Sequence, residues 1–538
     1  MSRGGCSHSS AELRVLDLIL EGGMVIDGTR ASRFQADVGI VGDRIEAIGN
    51  LREATARQRI NVEGRVVAPG FIDVHNHSDG WLSKIPNFQS KTLQGFTTEL
   101  LMVDGISYAP VNAQTWREWF YYLRSLDGLK LDDYAGWESI AEYLAHIEGR
   151  TAQNVAAHIP YSNVRTLACG FGRAPVDDFQ RRLIDAELHK GMQEGAIGLS
   201  TGIDYVGHCF ATTDELVDAC RIVAGYGGVY VTHVRYKRGL FPALNEAVEI
   251  AKRSGIKLHI SHLKAWSGVA GVDQVLEWIE KTRREVDLSF DVYPYQPGST
   301  MLNYLLPYEV WEDGPMAATA RMRDPAVRAR FAQGLKAYPL DLDHLRIAWV
   351  ASKENSVHQG KRLSDYVREM GQPAEEALYN LLLEERLAVL LVFDEGDDVL
   401  VRRFLQHDLY MMGTDGIWHA DGIVHPRQYG SAGRLIGPCV RDLKLFPLED
   451  AVHKLSARAA ERFGLAGRGT LTKGNFADVV VFDPATVTDR ATYENPHQPV
   501  TGIDTVLVNG KAVVERGAAV LEFEGSAPGR ALRFQMFR

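Results

Sequence analysis

Eight short apolar runs, most of them separated by amphipathic helical patterns, constrain this chain more than any other feature. They are FIDVHNH (71–77), TTELLMVDG (97–105), QNVAAHIP (153–160), GAIGLST (195–201), VYVTHV (229–234), KLHISH (257–262), VDLSFDVYPY (286–295) and LYMMGTDG (409–416). Between them lie stretches such as DDFQRRLIDAELHKGMQ, TDELVDACRIVAGYG and ALNEAVEIAKRSG, whose apolar residues recur at helical spacing. Strand–helix alternation predicts an α/β chain with a parallel sheet, and eight units predict closure into a (β/α)8 TIM-type barrel. An open doubly wound sheet is the competing architecture, but no G-x-G-x-x-G follows the first run.

The flanks read differently. From Leu16 to Val67 short alternating segments are punctuated by Gly-Gly, Asp-Gly and Gly-Asp, and the same texture returns in FADVVVFDP and DTVLVNGKAVVERG. Such patterns make antiparallel hairpins. The expectation is a small split β-sandwich-like domain built from residues 13–67 and 467–538 around a barrel at 68–466. The long stretch from Tyr295 to Asp408 contains helix candidates such as AEEALYNLLLEE. It is too long for a structureless loop, so an inserted subdomain is expected at about 297–405, between strands 7 and 8.

Composition narrows the function classes. The chain has 538 residues, 45% of them hydrophobic, and a formal charge of -10 without any Lys/Arg block, which argues against a nucleic-acid partner. No apolar run reaches the length of a membrane helix. The first dozen residues are Ser/Gly/His-rich and read as disordered, and Arg14, Asp17 and Glu21 break up the early leucines, so no signal-peptide core follows. The five cysteines (Cys6, Cys169, Cys209, Cys220, Cys439) form no C-x-x-C, which points to free thiols in a reduced, cytoplasmic protein and away from a zinc knuckle.

Metal-competent side chains sit at the C-terminal ends of the apolar runs. His75 and His77 end the first, Asp104 the second, His233 the fifth, His262 the sixth and Asp415 the eighth. In a barrel those ends converge on one mouth. Taken singly, His233 could be a core histidine and Asp104 or Asp415 a helix cap. Jointly, four imidazoles and two carboxylates suit one or two Zn2+-type ions. The chemistry explains the set: a bound dication lowers the pKa of its water and polarises an amide carbonyl, while a neighbouring carboxylate moves the proton to the leaving nitrogen. Asp415, ending the last strand, is the candidate general base.

With these residues in place the chain resembles the amidohydrolase superfamily, and within it the D-aminoacylase (N-acyl-D-amino-acid deacylase) branch. The resemblance is carried by APGFIDVHNHSD, LQGFTTELLMVDGIS, GAIGLSTGIDY, VTHVRY, ISHLKA, DVYPYQPGSTMLNYLLP, GTDG, HPRQYG and GRGTLTKGNFADVVVFDP, and it spans Ile26 to Arg530. It implies zinc-dependent hydrolysis of an N-acyl bond in a small-molecule amide that bears a carboxylate. By position, His75 and His77 would bind the more exposed metal, His233 and His262 the other, and Asp415 would be ligand and base. Asp104 stands where the branch usually has a bridging cysteine. Arg427 matches the arginine that holds the substrate carboxylate, a task for which a guanidinium fork is suited; a surface arginine in a loop is the weaker reading. Tyr293 and Ser299 match pocket residues, and Lys264 would meet a carboxylate or be a solvated lysine.

Several departures cluster nearby: Tyr236-Lys237 replaces a usual acidic residue, Val206-Gly207-His208 a Pro-Pro-Gly, and Pro160-Tyr161 a Gly-His. They predict a pocket altered in shape and polarity, for which simple acetyl-D-amino acids need not be the substrate. Two alternatives accompany this reading. One is a cyclic amide hydrolase of hydantoinase or dihydroorotase type, against which stands the lack of a lysine in the fourth run. The other is a catalytically degenerate barrel with a binding role, suggested by Asp104. Oligomeric state is not legible.

Overall fold

The computed structural model describes residues 15–265, 268–337 and 340–534. The expected disordered leader, Cys6 and the outermost residues of the two flanking segments lie outside them. The fold is α/β. Eight strands each overlap one of the eight apolar runs: β1 (Phe71–Asp73), β2 (Phe96–Leu101), β3 (Asn154–Ala157, continued at Ile159–Pro160), β4 (Gly198–Gly202), β5 (Val229–His233), β6 (Lys257–Ile260), β7 (Leu288–Val292) and β8 (Tyr410–Met412). Neighbours pair in parallel, β1 with β2 and β2 with β3, then β3 through β7 in order and β7 with β8. Backbone hydrogen bonds also run from Val74 to Met412 O (3.1 Å), from His158 to Leu101 O (3.1 Å) and from Ile197 to Ala157 O (2.9 Å), so the chain after β1 is tied to β8.

These strands are buried almost throughout, as expected where helices cover a parallel sheet. The helices between them begin and end on local signals. Asp177 accepts from the N–H groups of Phe179 and Gln180 to start the helix Asp178–Gln193, and Thr212 accepts from Glu215 to start Thr213–Gly225. Gly255, at φ 74°, ends Leu240–Ser254 in the left-handed region.

Both flanks enter one nine-stranded sheet. Strand Val66–Pro69 pairs in parallel with Leu16–Val25 on one side and antiparallel with Val479–Phe482 on the other. Gly70 alone separates Val66–Pro69 from β1, so this sheet runs directly into the first metal-competent segment. Between β7 and β8 the chain forms a small antiparallel sheet (Ser299–Met301, Leu345–Val350, Val389–Phe393) with helices at Pro315–Arg321, Pro325–Ala337, Leu363–Met370 and Ala374–Glu384. Among the described residues, Cys169, Cys209, Cys220 and Cys439 are free thiols, and no helix is long and apolar enough to cross a membrane.

Candidate metal centre and active site

The strand ends deliver the site. β1 stops at Asp73, and His75 and His77 lie just beyond it in a segment tied to the chain after β8: Asp415 N–H donates to His75 O (2.7 Å) and His77 N–H to Gly416 O (3.0 Å). A parallel bridge between Asn76 and Gly416 carries the pairing past Asp73, and His75 and His77, on either side of it, both face Asp104 and Asp415. Asp104 follows β2, His233 ends β5, His262 follows β6 and Asp415 follows β8.

All six side chains meet. His75 Nε2 is 3.6 Å from Asp104 Oδ1 and 3.7 Å from Asp415 Oδ1. His77 Nε2 is 3.8 Å from Asp104 Oδ2 and 3.3 Å from Asp415 Oδ1. His262 Nε2 is 3.8 Å from Asp104 Oδ1 and 3.0 Å from His233 Nδ1. Donor atoms of His75, His77 and Asp104 lie within 4.8 Å of one another, and so do those of Asp104, His233 and His262. Asp104 thus belongs to both groups.

Backbone conformation at the site is unusual. Asp104 (φ 56°), His262 (φ 34°) and Asp415 (φ 49°) are non-glycine residues in the left-handed region. Each such conformation costs about 1–3 kcal/mol and persists only where surrounding structure over-determines it. The bends turn the side chains from the strand ends towards a common point.

Electrostatics follow from burial and crowding. Burial opposes a charge on His75, but Asp104, Asp291 and Asp415 outweigh it and raise its pKa to about 9. Burial and the neighbouring His262 lower His233 to about 3. Burial, with His75 and Lys264, lowers His262 to about 3 despite Asp415. Asp415 would be raised by burial, yet Arg427, His77 and the other histidines hold it well below the usual carboxylate range. Buried side-chain atoms without a hydrogen-bond partner among the described residues include His75 Nε2, Asp104 Oδ1, His233 Nε2 and His262 Nδ1. Unsatisfied donors and acceptors at this density are costly unless a further group meets them. The N/O donor set and these orphaned atoms fit a divalent cation of zinc type.

A cavity of about 160 Å³ opens onto His77, Asp104, His233, His262 and Asp415, and Lys264 and Ser299 stand on its wall. The rest of that wall is largely apolar, including Tyr205, Tyr236, Tyr304 and Phe393. Lys264 and Phe393 also border an adjoining cavity of about 270 Å³, which Tyr293 lines. Arg427 is fully buried: Nη1 is 2.8 Å from Asp415 Oδ2, and the guanidinium lies 4.4 Å from the Tyr293 ring centre. Of the departures noted in the sequence, Tyr236 reaches the cavity, with its ring 5.0 Å from that of His233. Tyr161 instead donates to Glu215 (2.8 Å), and His208 is buried against Gly105.

Sequence reasoning missed the groups behind the site. Lys91 Nζ contacts Asp73 Oδ2 (2.6 Å) and Thr414 Oγ1 (2.5 Å), with Lys91 and Asp73 fully buried. Asp291 and His259 lie beneath His75 and His262, and Asp204 Oδ2 is 3.9 Å from His233 Nε2. Asp291 carried a legible signal, a carboxylate within the buried strand β7; Lys91, on a short helix, carried none.

The comparisons with known proteins agree with one another. A family model described as "Amidohydrolase family" matches residues 400–514. The chain is 36% identical to a D-aminoacylase of Alcaligenes xylosoxydans xylosoxydans, covering 97% of this chain and 99% of that protein. It is 34% identical to an N-acyl-D-glutamate deacylase of the same organism, covering 96% of each. In three dimensions it resembles the N-acyl-D-glutamate deacylase of Bordetella bronchiseptica complexed with zinc and a phosphonate inhibitor that mimics the tetrahedral intermediate. That match has a TM-score of 0.81 and 31% identity, over 97% of this chain and 100% of that one.

Proposed function

Because the chain belongs to the amidohydrolase family, in its D-aminoacylase branch, we propose that it is a metal-dependent hydrolase cleaving the N-acyl bond of an N-acyl-D-amino acid or a related carboxylate-bearing amide. The observation that carries this reading is the convergence of His75, His77, Asp104, His233, His262 and Asp415 on one buried point beside a cavity. Around it we read the eight linked strands as a (β/α)8 barrel (68–466), the two flanks (13–67 and 467–538) as one small split domain, and about 297–405 as an inserted subdomain. Free thiols fit a reduced, cytoplasmic setting.

His75 and His77 would hold one ion, His233 and His262 another, with Asp104 shared and Asp415 reaching the first. Zinc, the metal of the Bordetella relative, suits these donors. A divalent ion there supplies Lewis acidity, polarising the amide carbonyl and making water a competent nucleophile near neutral pH. Asp415 takes the proton from the attacking water and returns it to the amide nitrogen as the C–N bond breaks. It is suited to this because Arg427 keeps it ionised and oriented. Lys264, at the neck between the two cavities, meets the substrate carboxylate, with Tyr293 and Ser299 beside it; Arg427, behind the Tyr293 ring and paired with Asp415, backs that wall. The buried wall keeps bulk water away from these charges.

The test is amine release from a panel of N-acyl-D- and N-acyl-L-amino acids by zinc-loaded protein, before and after chelation, alongside Asp415→Asn. Chelator-sensitive, D-selective turnover with a kcat loss of about 10²–10⁴-fold in the variant is expected. A fully active Asp415→Asn protein would refute the base assignment.

A further inference from the structure

Asp291 on β7 is fully buried beneath the histidine set and reaches both histidine pairs at once. Its Oδ2 lies 3.7 Å from His75 Nδ1, and its Oδ1 accepts the backbone N–H of His262 at 2.9 Å. The same Oδ2 is 2.9 Å from His259 Nε2, and His259 Nδ1 is 2.8 Å from Ser289 Oγ, so a buried Ser–His–Asp row leads up to His75. The packing around this row is close. A Cβ added at Gly413 would fall 2.5 Å from Asp291 Oδ1 and 2.7 Å from His75 Cβ, so only glycine fits there.

Resting on the metal-centre reading above, we infer that Asp291, fixed by His259, is the positioning residue that sets the tautomer and orientation of His75. The argument is chemical. His75 Nε2 is the nitrogen that faces Asp104 and Asp415, so it must offer a lone pair, and the ring proton must reside on Nδ1. An ionised carboxylate is purely an acceptor and therefore selects the Nδ1–H form. A ligating imidazole whose other N–H faces a carboxylate is both oriented and made more basic. By also holding the His262 backbone N–H, Asp291 couples the position of the second pair to that of the first.

Asp291→Asn probes this directly. An amide has nearly the same volume and can still accept from His262 N–H, but its NH2 group facing His75 Nδ1 favours the opposite tautomer, which places the proton on Nε2. Zinc affinity, measured by competition with a chromophoric chelator, should fall about 10- to 100-fold, with zinc content per chain falling in parallel. The far-UV spectrum and unfolding midpoint monitor the fold. His259→Leu, which removes the donor to Asp291, should weaken zinc in the same direction, and His259→Gln, which keeps a donor, should restore it to within about threefold of wild type. A folded Asp291→Asn protein that binds zinc as wild type does overturns the inference, as does equal behaviour of the two His259 variants should Asp291→Asn not fold. Wild-type protein that takes up no zinc overturns the metal-centre reading itself, which is a different result.

Discussion

Replacing Lys91 with methionine would remove the cation from a buried contact that fastens β1 to the chain after β8. Lys91 Nζ lies 2.6 Å from Asp73 Oδ2 and 2.5 Å from Thr414 Oγ1, and both charged side chains have no exposure. Methionine approximates the lysine stem in volume, so the cavity term is small. The dominant cost is electrostatic: Asp73 keeps the N–H and hydroxyl of Thr414 (2.9 and 2.7 Å) but loses its counter-charge. Removing one partner of a buried pair costs about 3–5 kcal/mol, a large part of the 5–15 kcal/mol that typically separates native from unfolded chains. Adding Asp73→Asn removes the stranded charge, so the double variant should regain about 2 kcal/mol or more over the single one. Urea unfolding followed by tryptophan fluorescence reads both from the shift in midpoint at constant slope. A single variant within about 1 kcal/mol of wild type, or a double variant no more stable than the single, would refute the reasoning.

Two more outcomes are expected at and behind the site. Asp104→Ala removes the one carboxylate shared by both ligand groups, so metal analysis should show about two zinc ions per chain in wild type and a clear drop in the variant; unchanged stoichiometry would exclude Asp104 as a bridge. His158, buried with both ring nitrogens unpartnered among the described residues, has its pKa lowered from 6.5 to about 3, by burial first and then by His259 and His75. The unfolded chain therefore binds a proton that the native chain refuses between those values, and stability falls with falling pH by up to about 1.4 kcal/mol per unit. His158→Leu should make that acid limb shallower by up to about 1.4 kcal/mol per pH unit between pH 6 and 4 in unfolding titrations, the remainder coming from His233 and His262, and an unchanged slope would count against it.

The parts of this molecule that could be read from sequence are those written in local periodicity or in residue type at a strand end. The eight runs, the hairpin texture of both flanks and the six metal-competent residues are of this kind. The features that escaped were set by tertiary contact. The Lys91–Asp73–Thr414 contact joins residues up to 341 positions apart in the chain, and nothing around Lys91 distinguishes it from a solvated lysine. The bonds that tie His75 and His77 to Asp415 and Gly416 are of the same kind, since they join segments far apart in the chain and leave no local mark. The left-handed φ at Asp104, His262 and Asp415 was equally invisible, since aspartate and histidine give no glycine-like signal.

Strand Val66–Pro69 has one neighbour close in sequence and another, Val479–Phe482, that is synthesised much later in the chain. Until then its second edge stays open beside the segment that carries His75 and His77, and an open apolar edge recruits other chains. A ribosome-bound or prematurely terminated product would thus expose a sticky edge next to an incomplete ligand cluster. Docking of Val479–Phe482 and sealing of that edge are one event, so a fragment that stops before Val479 differs from the longer chain by one open strand edge beside His75 and His77.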